Sequence, residues 1–161
     1  MNKLQEGVRR FLVGAGDSVD RFSAIQATRY LGMQCEELAE KLLAVSEGAL
    51  SSHARELFVA FSTTLDSLGK AFKRGDHSGC VGRADHDKLI DADFDLAFVS
   101  LGALYSTSID GDGAISEGCR SNLDKLVDGK VIRDEHGKVQ KPKGWQAPDF
   151  TPFVDVSVKG D

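Results

Sequence analysis

The sequence has no basic stripe and no long apolar run. Of its 161 residues, 20 are Lys or Arg and 25 are Asp or Glu, for a formal net charge of −5. That balance argues against a nucleic-acid backbone as the main partner, though not against a nucleotide bound through a metal. No apolar stretch reaches the roughly 20 residues a spanning helix needs, so no membrane partner is expected. The opening "MNKLQEGVRRFLVGAGDS" lacks the apolar core of a signal peptide. Cysteine is scarce and odd in number, at Cys35, Cys80 and Cys119. The expectation is free thiols and a cytoplasmic protein. No internal repeat and no break in composition divides the chain. With 41% hydrophobic and 28% charged residues, a single globular domain over residues 1–161 is expected.

What is present is mostly helical period. Val8, Phe11 and Leu12 mark a short helix that the glycines of "GAGDS" stop. Asp17, Ser18 or Asp20 could cap the next helix, which runs to about Ser46 on a stripe of Leu31, Cys35, Leu38, Leu42 and Val45. A third helix covers about 52–73, with Leu57, Phe61, Leu65, Leu68 and Phe72 in one line. The glycine-rich "RGDHSGCVGRADHD" reads as a flexible loop. A fourth helix over about 87–106 carries Ile90, Phe94, Ala97, Leu101 and Leu104, and a fifth runs from about Ala114 to Leu126. Beyond Gly129, short strands near Val131-Ile132 and Lys138-Val139 predict a hairpin around 134–137. The tail from Gly144 holds the only tryptophan and should lie on the surface of its own chain or a neighbour's, with Trp145 and Phe150 as packing anchors. The fold class is therefore all-α, a helical bundle with a small C-terminal β-hairpin and extended tail.

The acidic residues are unevenly placed. Glu36, Glu37 and Glu40 crowd one side of the second helix, because residues three and four apart share a face. Asp87, Asp91 and Asp95 step by four along the fourth helix, beside its apolar stripe, and Gly102 near that line leaves room for something bulky. An all-acidic face is often only solvated surface. A solvated face, however, usually mixes signs, and here Lys41 is the only base between Glu36 and Glu47. Two such faces brought together need cations. Oxygen-only ligands on facing helices suit a hard divalent ion such as Mg²⁺ or Mn²⁺.

"EELAE" (36–40) followed by "DADFDLAFVSLGAL" (91–104) resembles the MazG-like all-α nucleoside triphosphate pyrophosphohydrolases, whose signature is E-E-x-x-E on one helix and E-x-x-D on a later one. The phage-type branch related to phosphoribosyl-ATP pyrophosphohydrolase is the nearest likeness. "CRSNLDKLVDGKVIRDEHGKVQKPKGWQAPDF" (119–150) is similar to that branch's S-N-x-x-K helix, hairpin and K-P-x-G-W ending, and "VRRFL" (8–12) to its opening helix. The chain departs from the pattern twice. Ala92 stands where glutamate is usual, with Asp91 one place earlier giving D-x-x-x-D, and residues 48–86 form an enlarged helix-plus-loop insertion.

The resemblance implies hydrolysis of an NTP or dNTP, such as dGTP, to the monophosphate and pyrophosphate. It implies Mg²⁺ or Mn²⁺ held by Glu37, Glu40, Asp91 and Asp95, with Glu36 orienting or deprotonating the water. Asn122 and Lys125 match the family's substrate contacts. It also implies a homodimer or homotetramer with sites at helix-bundle interfaces, and a role in dNTP metabolism, in host cytoplasm if the chain is phage-encoded. Two other readings stand beside it: phosphoribosyl-ATP hydrolysis, and a non-enzymatic helical interaction protein with solubilising acidic faces. "DGDGAI" (110–115) imitates a calcium loop, but Cys119 falls where the bidentate glutamate belongs, so a helix-breaking turn is expected. His77, Cys80 and His86 offer zinc no evident fourth ligand.

Overall fold

A computed structural model describes residues 2–135 and 138–154. It is all-α with a small hairpin, as expected, and falls into two compact units. One comprises Met1–Asp20 and His86–Asp161, the other Arg21–Asp85.

The second unit is a helical pair, α2 (Ala24–Glu47) and α3 (Ser52–Lys73), followed by short α4 (Ser78–Arg83). The N-cap of α2 is Ser23, whose hydroxyl accepts from the Gln26 amide at 3.3 Å, and not Asp17, Ser18 or Asp20. Asp20 has a positive φ of 59°, which turns the chain away from helix, and its carboxylate pairs with Arg9 at 2.8 Å. Helix α4 lies inside the segment expected to be a flexible loop. It leaves a left-handed His77 and buries Val81 in a packing against α2. Six residues are too few to show a helical stripe.

The α2–α3 contact is made of small residues. Thr28, Gly32, Ala39 and Ser46 are buried on α2, and Ser62 and Gly69 on α3. Ser62 Oγ donates to the Ala39 carbonyl at 2.9 Å across the pair. A Cβ on Gly32 would stand 2.7 Å from the Gly69 carbonyl oxygen, so the two backbones touch. No leucine fits between backbones that close. Much of the expected stripe is therefore turned outward: Leu38 and Val45 on α2, and Leu57, Phe61 and Leu68 on α3, are exposed.

The first unit is built on α1 (Lys3–Gly14) and α6 (Gly111–Leu123). Asn2 and Gln5 close a capping box on α1. Gly7 lies against Cys119, and Gly14 against Leu126 and the Gly129 carbonyl. Asp110 caps α6, accepting from the Gly113 amide at 2.8 Å, so "DGDGAI" starts a helix three residues earlier than expected. Strands β1 (Leu126–Val127) and β2 (Lys130–Val131) pair antiparallel around Asp128 and Gly129, at φ 51° and 76°. This is the Asp-Gly turn a tight hairpin demands. The hairpin expected further on survives as a bridge between Arg133 and Val139, and Gly137 of its loop lies outside the described residues.

Helix α5 (His86–Thr107) is different in kind: none of its 22 residues is buried. Ile90, Phe94 and Phe98 are 64–69% exposed, and within its own unit α5 packs extensively against no other element. Leu101 and Leu104, near its C-terminal end, are half-buried.

Candidate functional site

On α2, Glu36 is half-buried and Glu37 and Glu40 are exposed. Glu36 faces α3, where both its carboxylate oxygens accept from Lys73 Nζ, at 2.7 and 2.9 Å. The glycine crossing makes this possible. A Cβ on Gly69 would come within 2.9 Å of Glu36 Cγ, and one on Gly32 within 2.9 Å of Lys73 Cγ. The two stems thus run through space that side chains at 32 and 69 would fill. Burial, and then the Glu36 charge, push the neighbouring Cys35 thiol up, which keeps it a poor nucleophile. The three cysteines are free thiols, as expected.

Asp91 and Asp95 are exposed on α5, and nothing stands within 4 Å of where a Cβ on Gly102 would be. The glutamates belong to one unit and the aspartates to the other. Among the described residues, no three His, Cys, Asp or Glu side chains converge to hold a metal ion. His77, Cys80 and His86 do not converge, and neither do the carboxylates. The donor chemistry of the α2 face nonetheless fits a hard cation. It is carboxylate oxygen, and one of its members already grips an ammonium.

Asn122 and Lys125 come together at the end of α6, where Lys125 Nζ donates to Asn122 Oδ1 at 2.8 Å. The Asn122 side-chain oxygen thus accepts from Lys125, and its NH2 group carries two further donors. The tail returns onto α6, as an anchored tail should. The Trp145 indole N–H donates to the Ser121 carbonyl at 2.7 Å, and the Asp149 amide donates to Glu117 at 2.9 Å. Arg120 donates to Glu117, Asp124 and the Ala147 carbonyl. Its guanidinium, followed by the Asp149 amide, holds the Glu117 carboxyl at about 2, and Glu117 in turn raises Arg120. Residues 155–161 lie outside the described residues.

A cleft of about 300 Å³ between α1, α5 and α6 is lined by Lys3, Leu101, Tyr105, Asp112 and Ile115, among others, and by none of the expected site residues. The Tyr105 hydroxyl donates to Asp112 at 2.6 Å, and this bond is the main reason its pKa is raised.

Three residues of the site are absent from the sequence expectations. Lys73 lies 37 positions from Glu36 and could be found only from the helix pairing. Arg120 gave a local signal, with Glu117 three residues before it and Asp124 four after. Lys141 stands over the Trp145 ring, a placement set by the turn between them. No family model, curated protein or solved structure matches the chain.

Proposed function

We propose that the protein is a divalent-metal-dependent nucleotide pyrophosphohydrolase, cleaving an NTP or dNTP between the α- and β-phosphates. The observation that carries the proposal is the α2 face. Glu36 accepts from the Lys73 ammonium through both oxygens, with Glu37 and Glu40 exposed on the same helix. The likeness of "EELAE" and of residues 119–150 to the MazG-like family supports the same reading.

In this reading Glu37 and Glu40, with Asp91 and Asp95, would hold Mg²⁺ or Mn²⁺. The ion supplies charge neutralisation for the triphosphate and an acidified water. Lys73 fixes the Glu36 carboxylate in place. Each oxygen of Glu36 retains a second acceptor position, with which it takes a proton from the attacking water. That water attacks the α-phosphorus, the bond to the bridging oxygen breaks, and monophosphate and pyrophosphate leave. Lys125 offers a point charge to phosphate, and Asn122 its amide protons to sugar or base. The resemblance makes a purine such as dGTP one candidate substrate. Assembly as a homodimer or homotetramer is part of the proposal, and the open α5 supports it, since its exposed Ile90, Phe94, Phe98 and Val99 call for a covering surface.

That same open helix favours the second reading, a helical interaction protein without activity. One panel separates them. Purified protein is incubated with Mg²⁺ or Mn²⁺ and each NTP, each dNTP and phosphoribosyl-ATP, and monophosphate and pyrophosphate are both measured. Turnover on none of them rejects the enzyme. Release of orthophosphate in place of pyrophosphate rejects attack at the α-phosphorus. Turnover confined to phosphoribosyl-ATP moves the activity to that substrate.

A further inference from the structure

We propose that Lys125 and Lys141, gathered on the Trp145 indole, form a clamp for a short polyphosphate chain. Lys141 Nζ lies 4.3 Å from the ring centroid and Lys125 Nζ 5.7 Å. One ammonium over an indole is a common and mildly favourable contact. Two on the same ring repel each other, and the arrangement gains most when a shared anion binds both. The ring cannot shift to relieve them. Its N–H is tied to the Ser121 carbonyl at 2.7 Å. Its backbone amide closes a turn onto Pro142 at 3.0 Å, with Gly144 at φ 86° in the position that needs a glycine.

The surroundings favour an anion as well. Glu117 and Asp124, the nearest acids along α6, are both bound by Arg120. From Lys125 to Lys143 the sequence carries six Lys or Arg against three Asp or Glu, in a chain whose net charge is −5. A patch this small inside an acidic protein suits a few adjacent phosphates and not a nucleic-acid backbone. The inference deepens the proposed function by adding Lys141 and Trp145 to Asn122 and Lys125 as the phosphate-binding part of the site.

Trp145 is the only tryptophan, so its emission reports on the clamp directly. Inorganic tripolyphosphate is titrated into the full chain without metal, following tryptophan fluorescence and, in parallel, heat of binding. A saturable change is expected, weakening as salt rises, with affinity about tenfold lower in Lys141→Met and in Lys125→Met. Orthophosphate should bind far more weakly, because it brings less charge and fewer oxygens to share between two ammoniums. The clamp is overturned if neither readout saturates, if both variants bind like the parent, or if orthophosphate binds as tightly. A single-stranded oligonucleotide that outcompetes tripolyphosphate would reassign the patch to nucleic acid and overturn it too. The experiment involves no turnover. Nucleotide hydrolysis without anion binding at Trp145 removes the clamp and leaves the proposed function. Binding without hydrolysis does the reverse.

Discussion

Glu36 meets Lys73 beside the point where α2 and α3 approach through Gly32 and Gly69, which have no side chains. The pair is partly exposed, at 22% and 40%, so it contributes only about 0–1 kcal/mol to stability. Its larger effect is on what else Glu36 can bind. Lys73→Met removes a cation that competes for the α2 face. Mn²⁺ affinity, measured by paramagnetic resonance or calorimetry, should rise several-fold. Unchanged or weaker Mn²⁺ binding would show that Lys73 does not compete there.

Glu40→Gln keeps the size and helix preference of the side chain and removes one charge. Turnover should fall by at least about a hundredfold, the usual scale for losing a group that holds or activates the reacting water. The circular dichroism spectrum should not change. Near-normal turnover in this variant would reject the α2 face as the metal site.

Gly69→Ala places a methyl group 2.7 Å from the Gly32 carbonyl. Alanine gains up to about 1 kcal/mol in helix preference over glycine, but forcing two touching backbones apart costs about 1–3 kcal/mol. A lower melting temperature is the expected net result. A variant that melts at or above the parent temperature would mean the crossing can open at no cost.

Arg120 and the Asp149 amide depress the Glu117 carboxyl to about 2, against 4.5 for an ordinary glutamate. A depressed carboxylate contributes its stability above the unfolded value and loses it as pH falls through the folded one. The Glu117 contribution to holding the tail should therefore be present at pH 5, weaken below about 4 and be lost near 2. Trp145 emission follows it. In Glu117→Gln the transition in that window should vanish; a transition of the same size and midpoint would assign it to another group.

Phe94 and Phe98 stand on the open side of α5, with ring centroids 6.2 Å apart. If α5 is the assembly surface, Phe94→Asp with Phe98→Asp should lower the mass seen in sedimentation to that of one chain. An unchanged oligomer would place the interface elsewhere.

Helix positions were readable from the sequence because their signals are local. The stripes on α2, α3 and α5 and the glycines after α1 put those elements within a few residues of where they lie. The packing was less readable. The stripe over Leu31, Leu38 and Val45 predicts a leucine seam, while the seam that exists runs through Thr28, Gly32, Ala39 and Ser46. Hydrophobicity cannot rank a glycine above a leucine at a helix contact; only the close approach of a second backbone can. The Asp128–Gly129 pair is a local turn signal, but the longer polar stretch at 134–137 competes with it for the hairpin. In the candidate site, the three glutamates, the two aspartates and the Asn122–Lys125 pair follow from spacing and resemblance. Lys73 and Lys141 do not, because what places them is tertiary contact.

The crossing at Gly32 and Gly69 has one more consequence. Because the stems of Glu36 and Lys73 share the gap between α2 and α3, a ligand that draws Glu36 outward also gives up this ion pair, about 0–1 kcal/mol of the attachment between the helices. Occupancy of the acidic face and tightness of the hairpin then trade against each other. A cation that uses all three glutamates leaves α3 looser than it found it. One that uses only Glu37 and Glu40 leaves it clasped. The protection of α3 amides from hydrogen exchange would thus count how many glutamates a bound ion has taken.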